Sequence, residues 1–379
     1  MPTRLGWAAI AAAGFAFAIG RVFGLIELYV IGAGLVAALG LAMAVVRLPL
    51  PPLAVRRHAQ PQMVAVGEPA RVDIEVTNMS RRHSPYLHLW EGVGEQGGAP
   101  MQLAPLAPHA CAGAAYHVPT THRGRVQIGP LRATRSDALS LCSRSTVLTS
   151  HDEVLVIPRY ITMPFPEVGS AGRLGQHLRL AAWGQTGTEF HSMREYVPGD
   201  DLRRISWKAS ARSNDLLVRE TEVDGIRRCA VLLDAHAEEF DHLGFERAVS
   251  AAASLVTSAV AAGVGTRLVS SGTDLRGPDV ATNALRWLAL AERTAMPLDP
   301  AALLGGTGEG IGLVFVVTGS STSPAVDVAR TIAGPDDVLV IVAAQSRPTT
   351  GRFCVDATSL ERLAADWGAL VHGSTAGSR

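Results

Sequence analysis

The 379-residue chain lacks most of the short motifs that announce chemistry. Its four cysteines, Cys111, Cys142, Cys229 and Cys354, stand far apart with no Cys-x-x-Cys, which excludes a zinc ribbon or redox dithiol by spacing. Scattered thiols suit a reducing compartment, where cysteine acts as a small apolar residue. No Gly-Lys-Ser/Thr occurs, so a Walker ATPase site is excluded; the glycine-rich run 305–312 precedes a strand instead of following one. No Gly-x-Ser-x-Gly elbow and no His-Glu-x-x-His are present, and the twelve histidines show no ligand spacing. Net charge is also missing: 34 basic and 34 acidic residues cancel, so the chain has no bulk attraction for nucleic acid.

What the chain has in excess is apolar residues, 47% of the total, concentrated at the N-terminus. Residues 5–46 carry only two charges, Arg21 and Glu27, and form two apolar runs, 5–20 and 25–46. A helix needs roughly 20 apolar residues to cross a bilayer, and helices satisfy their own backbone in lipid. The spacing predicts a transmembrane helical hairpin over 1–48, with a tight turn at Gly20-Arg21-Val22-Phe23-Gly24. A second, longer apolar run following at once argues against a cleaved signal peptide. Arg4 before the hairpin and Arg47, Arg56 and Arg57 after it, against Arg21 in the turn, place both ends in the cytoplasm at the plasma membrane.

Prolines 49, 51 and 52 mark the exit from the hairpin. Val72, Ile74 and Val76 then alternate with polar residues, and Leu87 and Leu89 repeat the pattern, which is the period of half-buried strands. Residues 60–150 are expected to form a small antiparallel β-sandwich, a spacer or binding module. A strand at 152–160 and a glycine-rich, polar loop at 169–188 open the region 151–226, which holds the charged motif and is taken as one segment. From 227 to 379 apolar strands alternate with amphipathic helices: strands at 227–235, 265–272, 311–319 and 337–344, helices at 241–262, 280–294, 324–333 and 358–367, and ALVHG (369–373) as the final strand. This predicts an α/β domain, a parallel sheet with helices on both faces.

The densest chemistry lies in GTEFHSMREYVPGDDLRRISWKASARSNDLLVRE (187–220). Asp200 or Asp201 is placed to cap a helix starting near Leu202. Leu202, Ile205 and Ala209 would form its apolar face, and Arg204, Lys208 and Arg212 a basic stripe. Three readings fit: an ion-pair network locking a loop and helix, a surface for a protein partner, or an anion site on the stripe. Trp, Tyr and Arg are favoured interface anchors. The partner-binding set is Arg194, Glu195, Tyr196, Asp200, Asp201, Arg203, Arg204, Trp207, Lys208 and Arg212. No catalytic residue and no cofactor is assigned. The alternative is a hydrolase acting on an envelope or phosphorylated substrate, with Asp200, Asp201 and Arg204 as its polar centre.

The stretch EFHSMREYVPGDDLRRISWKASAR (189–212) closely resembles the signature of the domain-of-unknown-function 58 family, and residues 123–141 and LVIPR (155–159) resemble it too. The resemblance implies that the last domain is similar to a von Willebrand factor A domain. Such domains often hold a divalent metal through Asp-x-Ser-x-Ser; here the run is Asp234-Ala235-His236-Ala237-Glu238, with both serines gone, and Thr318-Gly319-Ser320 lacks a second aspartate. No metal is therefore assigned at this degenerate site. The resemblance also implies a MoxR-type AAA+ ATPase as partner and a role in protein-complex maturation or cell-envelope processes, by an assembly or adaptor protein without enzymatic activity.

Overall fold

The computed structural model describes residues 1–94, 97–166, 170, 172–177, 190–197, 205–211, 215–221, 228–298, 312–333, 337–347 and 353–373. It divides into two compact units, Met1–Ile157 and Pro158–Arg379.

The first unit begins with α1 (Arg4–Phe23) and α2 (Ile26–Arg47). The Thr3 hydroxyl accepts the Gly6 N–H at 3.1 Å and so caps α1. Gly24, at φ +67°, ends it in the left-handed conformation that glycine tolerates. One such residue reverses the chain, so Gly20–Phe23 is the last turn of α1 and not part of the turn the sequence indicated. Small residues let the helices approach: a Cβ on Gly32 would stand 3.0 Å from the Phe17 ring. At 20 and 22 residues, with mean hydropathy 1.6 and 2.3, both helices are long and apolar enough to cross a membrane by length and composition.

Two sheets follow. One has the order β1 (Leu53–Gln60), β3 (Ala70–Asn78), β6 (Cys111–Val118). The other runs β2 (Met63–Ala65), β9 (Asp152–Ile157), β7 (Gly124–Ser136), β4 (Leu87–Val93), β5 (Gly98–Leu103), with β8 (Ser143–Thr149) also on β7. Every pair is antiparallel except β2 with β9, which is parallel and qualifies the all-antiparallel expectation. The period-two residues Val72, Ile74 and Val76 point inward and share one core with Leu87, Leu89, Ile128, Leu131, Val154 and Val156. Inside that core sits a polar group. Arg57 of β1 pairs with the fully buried Glu91 of β4, and the Tyr116 hydroxyl of β6 donates to Glu91 Oε2 at 2.7 Å. Arg57 also donates to the Ser150 carbonyl at 3.1 Å.

The second unit carries a six-stranded sheet of order β14 (Thr273–Leu275), β13 (Gly265–Ser270), β12 (Arg228–Leu233), β15 (Gly312–Thr318), β16 (Val338–Ala343), β17 (Cys354–Asp356). All neighbours are parallel except the β13–β14 hairpin. Ala230, Leu232, Val314 and Val316 face α6 (Pro324–Ile332) on one side. On the other side the Phe315 ring meets Trp367 of α7 (Leu360–His372), centroids 5.4 Å apart. Helices α4 (His242–Ala261) and α5 (Val280–Leu290) complete the cover. Residues 369–372 belong to α7, which corrects the expected final strand: Leu363, Trp367, Leu370 and Val371 are buried at helical spacing. The last strand is instead the short β17.

An extended strap after β9 is bound to α4. Ile161 and Met163 donate their backbone N–H groups to the hydroxyls of Ser254 and Ser258, at 3.1 and 2.9 Å. The Trp367 indole N–H donates to the Pro164 carbonyl at 2.6 Å. The strap covers what would be the solvent face of α4, which is why Ala251 through Val256 are all buried. Within the glycine-rich stretch 169–188, residues 173–177 are helical; residues 169, 171 and 178–188 lie outside the described residues.

Candidate functional site

The signature segment contains a two-stranded antiparallel hairpin, β10 (Phe190–Glu195) and β11 (Leu217–Thr221), with Glu195 opposite Leu217. Tyr196 extends it, donating to the Leu216 carbonyl at 2.8 Å. Ile205 bridges to Val218, and Ser206 donates to the Leu217 carbonyl at 2.9 Å. One helical turn, α3 (Trp207–Ser210), follows, and Ser210 accepts the Leu217 N–H on its hydroxyl at 2.8 Å. The helix expected from Leu202 is thereby corrected at Ile205, which is a bridge residue. Ile205 is buried against β11, and its apolar spacing served strand pairing instead of a helix face.

Trp207 is 66% exposed at the start of α3, directly after Ser206, whose N–H is bonded to the Leu217 carbonyl. Val197 and Leu216 are exposed too, and Glu195 and Lys208 supply charge next to them. Tyr196 is half-buried at the base. Among the partner-binding set, then, Glu195, Tyr196, Trp207 and Lys208 share one hairpin. Arg194 lies in β10 by its backbone, its side chain outside the described residues, as are Asp200, Asp201, Arg203, Arg204 and Arg212 altogether. Sequence reasoning passed over Val197 and Leu216; an apolar residue flanking a strand on each side of a hairpin was the available signal.

In a parallel sheet of this order, ligands usually bind beyond the carboxyl ends of the strands where the order reverses. That position here lies between β12 and β15, at Asp234. It is packed shut. Asp234 is 2% exposed. Its Oδ1 accepts the His236 N–H at 3.0 Å, and its Oδ2 accepts the hydroxyls of Thr318 and Ser323 at 3.0 and 3.3 Å. The Ala235–Ala237 turn is bonded on both sides to Thr294, at 2.7 and 2.8 Å. Gly319 passes so close that a Cβ there would stand 2.1 Å from the Glu239 carbonyl. One carboxylate and two hydroxyls, enclosed this way, do not fit a magnesium ion, which needs near-octahedral oxygen and keeps several waters. Thr318 and Ser323 take the place of an ion as partners of Asp234. Among the described residues no group of three or more His, Cys, Asp or Glu gathers.

A cavity of about 540 Å³ opens at the opposite, amino end of β12 and β13, with Arg228 and Arg276 among its lining residues. Cys229 lines it; burial pushes its thiol up to about 12, which disfavours the thiolate, and the hydrogen bond to the Thr266 hydroxyl offsets part of this.

The comparison with known families falls on the hairpin and the sheet. Residues 192–357 match the family described as "Protein of unknown function DUF58". The DUF58 match thus begins in β10 and ends just beyond β17. An "Uncharacterized protein YeaD" from Bacillus subtilis (strain 168) is similar, 26% identical over 165 residues. That alignment takes 42% of this chain and 39% of the relative, so the chain spans about two fifths of the relative's length. Among solved structures, the CARDB domain of the PF1109 protein from Pyrococcus furiosus is 17% identical, covering 29% of this chain and 96% of that one, with TM-score 0.23. A β-glucosidase from Listeria innocua is 11% identical, covering 29% and 16%, with TM-score 0.19. Likenesses this slight establish neither fold nor function for this chain.

Proposed function

We propose that the chain is a membrane-anchored adaptor or assembly protein that docks a partner, a MoxR-type AAA+ ATPase, through the β10–β11 hairpin and α3. The observation that carries this reading is the exposed Trp207, on the same paired segment as the exposed Val197, Leu216, Glu195 and Lys208. Single exposed apolar residues are ordinary, but an indole grouped with two aliphatic side chains and flanking charge has the make-up of an interface hot spot with a polar rim. The closed position at Asp234 supports binding over catalysis, since the usual ligand crevice of such a sheet is filled. The parallel sheet with helices on both faces supports a von Willebrand factor A-like second unit that has given up its metal. The two apolar helices support anchoring in the plasma membrane, with the bulk of the chain cytoplasmic because Arg4, Arg47, Arg56 and Arg57 outnumber Arg21.

The test is capture of a purified MoxR-type ATPase by the full chain in nanodiscs. Trp207→Ala should weaken capture about tenfold or more, the range for a central interface tryptophan, and Lys208→Glu should weaken it less. Unchanged capture by both variants refutes docking at this hairpin, and no capture by the unaltered chain refutes this partner class.

A further inference from the structure

The β7–β8 loop is bonded to both ends of the helical hairpin. At the start of α1, Thr3 donates its N–H to the Leu141 carbonyl and Ser143 donates to the Met1 carbonyl, each at 2.9 Å, while the Thr3 hydroxyl reaches the Ser140 carbonyl at 2.6 Å. The approach is so close that a Cβ on Gly6 would stand 2.1 Å from the Leu141 oxygen. At the end of α2, Ala42 and Val46 share a buried cluster with Cys142. Arg144 and Arg135 donate to the carbonyls of Arg47 and Leu48, both at 3.4 Å. The loop is itself braced: the Asp137 carboxylate accepts the N–H groups of Leu139 and Cys142 at 2.9 and 2.6 Å.

These bonds fix the loop at the level where both helices end. A 20-residue helix is about 30 Å long, the thickness of the hydrocarbon core, so its ends lie among lipid headgroups. At that level Leu139 projects from the loop 63% exposed. Arg135 and Arg144 flank the loop in sequence and donate to the carbonyls of Leu48 and Arg47 at the end of α2. Asp137 is the one acid between Arg132 and Val147, and its oxygens are turned into the loop. An exposed leucine on a loop flanked by Arg135 and Arg144, held at the end of α2, matches an anionic phospholipid surface. The aliphatic chain gains by entering the acyl boundary, and guanidinium groups bind phosphate through several N–H groups.

We propose that the β7–β8 loop is a membrane-interface element, in which Leu139 enters the headgroup–acyl boundary and Arg47, Arg135 and Arg144 bind the headgroups of anionic phospholipids. The proposal rests on the hairpin's crossing a bilayer, as proposed above.

The test uses the full chain in nanodiscs of phosphatidylcholine, alone or mixed with phosphatidylglycerol. Cys111 and Cys354, the two cysteines that are not buried, are changed to serine. An environment-sensitive fluorophore is then placed by Leu139→Cys or, as a control for the hairpin, by Gly34→Cys, where a Cβ meets nothing within 4 Å. The Gly34 probe should be quenched by lipids spin-labelled deep in the acyl chain, and the Leu139 probe by lipids labelled near the headgroup. Brominated phosphatidylglycerol should quench the Leu139 probe about fivefold more effectively than brominated phosphatidylcholine, the preference expected of even one basic residue at an anionic surface. Arg47→Gln, Arg135→Gln and Arg144→Gln together should bring that ratio close to unity. A Leu139 probe that stays in water while the Gly34 probe is quenched overturns the proposal and leaves the hairpin reading standing. An unquenched Gly34 probe overturns both. A phosphatidylglycerol preference that survives the triple arginine change overturns the headgroup assignment.

Discussion

Replacing Glu91 by leucine tests how the β unit tolerates charge in its core. Glu91 is fully buried and the Arg57 side chain is 6% exposed. Removing the carboxylate leaves Arg57 with only the Ser150 carbonyl and leaves the Tyr116 hydroxyl without its acceptor. Breaking one side of a buried ion pair costs about 3–5 kcal/mol, and an orphaned hydroxyl adds ~1 kcal/mol or more. That is a large part of the 5–15 kcal/mol typical of a whole domain. Changing both charges together, Arg57→Met with Glu91→Leu, removes the uncompensated cation. It also removes the buried Arg57 Nε, which has no hydrogen-bond partner among the described residues. The double variant should therefore lose less than either single one, with a coupling energy above about 2 kcal/mol. Gly129 is a further constraint on the site: a Cβ there would stand 2.9 Å from the Arg57 guanidinium, so the cavity has no room for a larger neighbour. Hydrogen exchange on peptides from β1, β4 and β6, read by mass spectrometry in the full chain, gives the local opening energies. Additive losses, or a Glu91→Leu effect below about 1 kcal/mol, refute the reasoning.

Burial, and then the hydrogen bond to Glu91 and its negative charge, push the Tyr116 phenol well above its ordinary range. A raised value favours the neutral phenol in the fold, so this stabilisation is complete below the unfolded value of about 10 and fades as pH rises past it. Alkaline titration should loosen β6 exchange from about pH 10 upward, and Tyr116→Phe should flatten that dependence while lowering stability at neutral pH. Ser254→Ala and Ser258→Ala each strip a partner from a backbone N–H of the strap, at a cost of about 1–3 kcal/mol. Exchange at Ile161 and Met163 should accelerate in each variant, and unchanged rates would show the strap is held by its side chains alone.

Much of the second unit was legible because a central parallel strand is apolar throughout, as at Leu313–Val317, and helices follow at regular intervals. The sandwich strand Ala70–Asn78 was legible because one face is buried and the other is not. The misses share a physical cause. The three-residue strands β14 and β17 are too short to show a period. ALVHG reads as a strand only if Trp367 and Leu363, one and two turns before Leu370, are ignored. At Ile205 the spacing to Ala209 fits a helix, while the residue that decides its fate, Val218, lies thirteen positions on. The strap carries no pattern because its bonds are made by backbone groups to two serines on a distant helix. At the hairpin, Trp207 and its charged neighbours stood out by residue type, whereas Val197 and Leu216 became notable only once strand pairing, with Tyr196 bonded to Leu216, left both exposed on the same hairpin.

The double attachment of the β7–β8 loop has a mechanical consequence. A module hung from one helix swivels about a single link, whereas one pinned at two points follows every movement of its mount. If the hairpin crosses a bilayer as proposed and leans to match a thinner one, a sandwich pinned to Thr3 and Arg47 together leans through the same angle. The first unit would then convert membrane thickness into orientation.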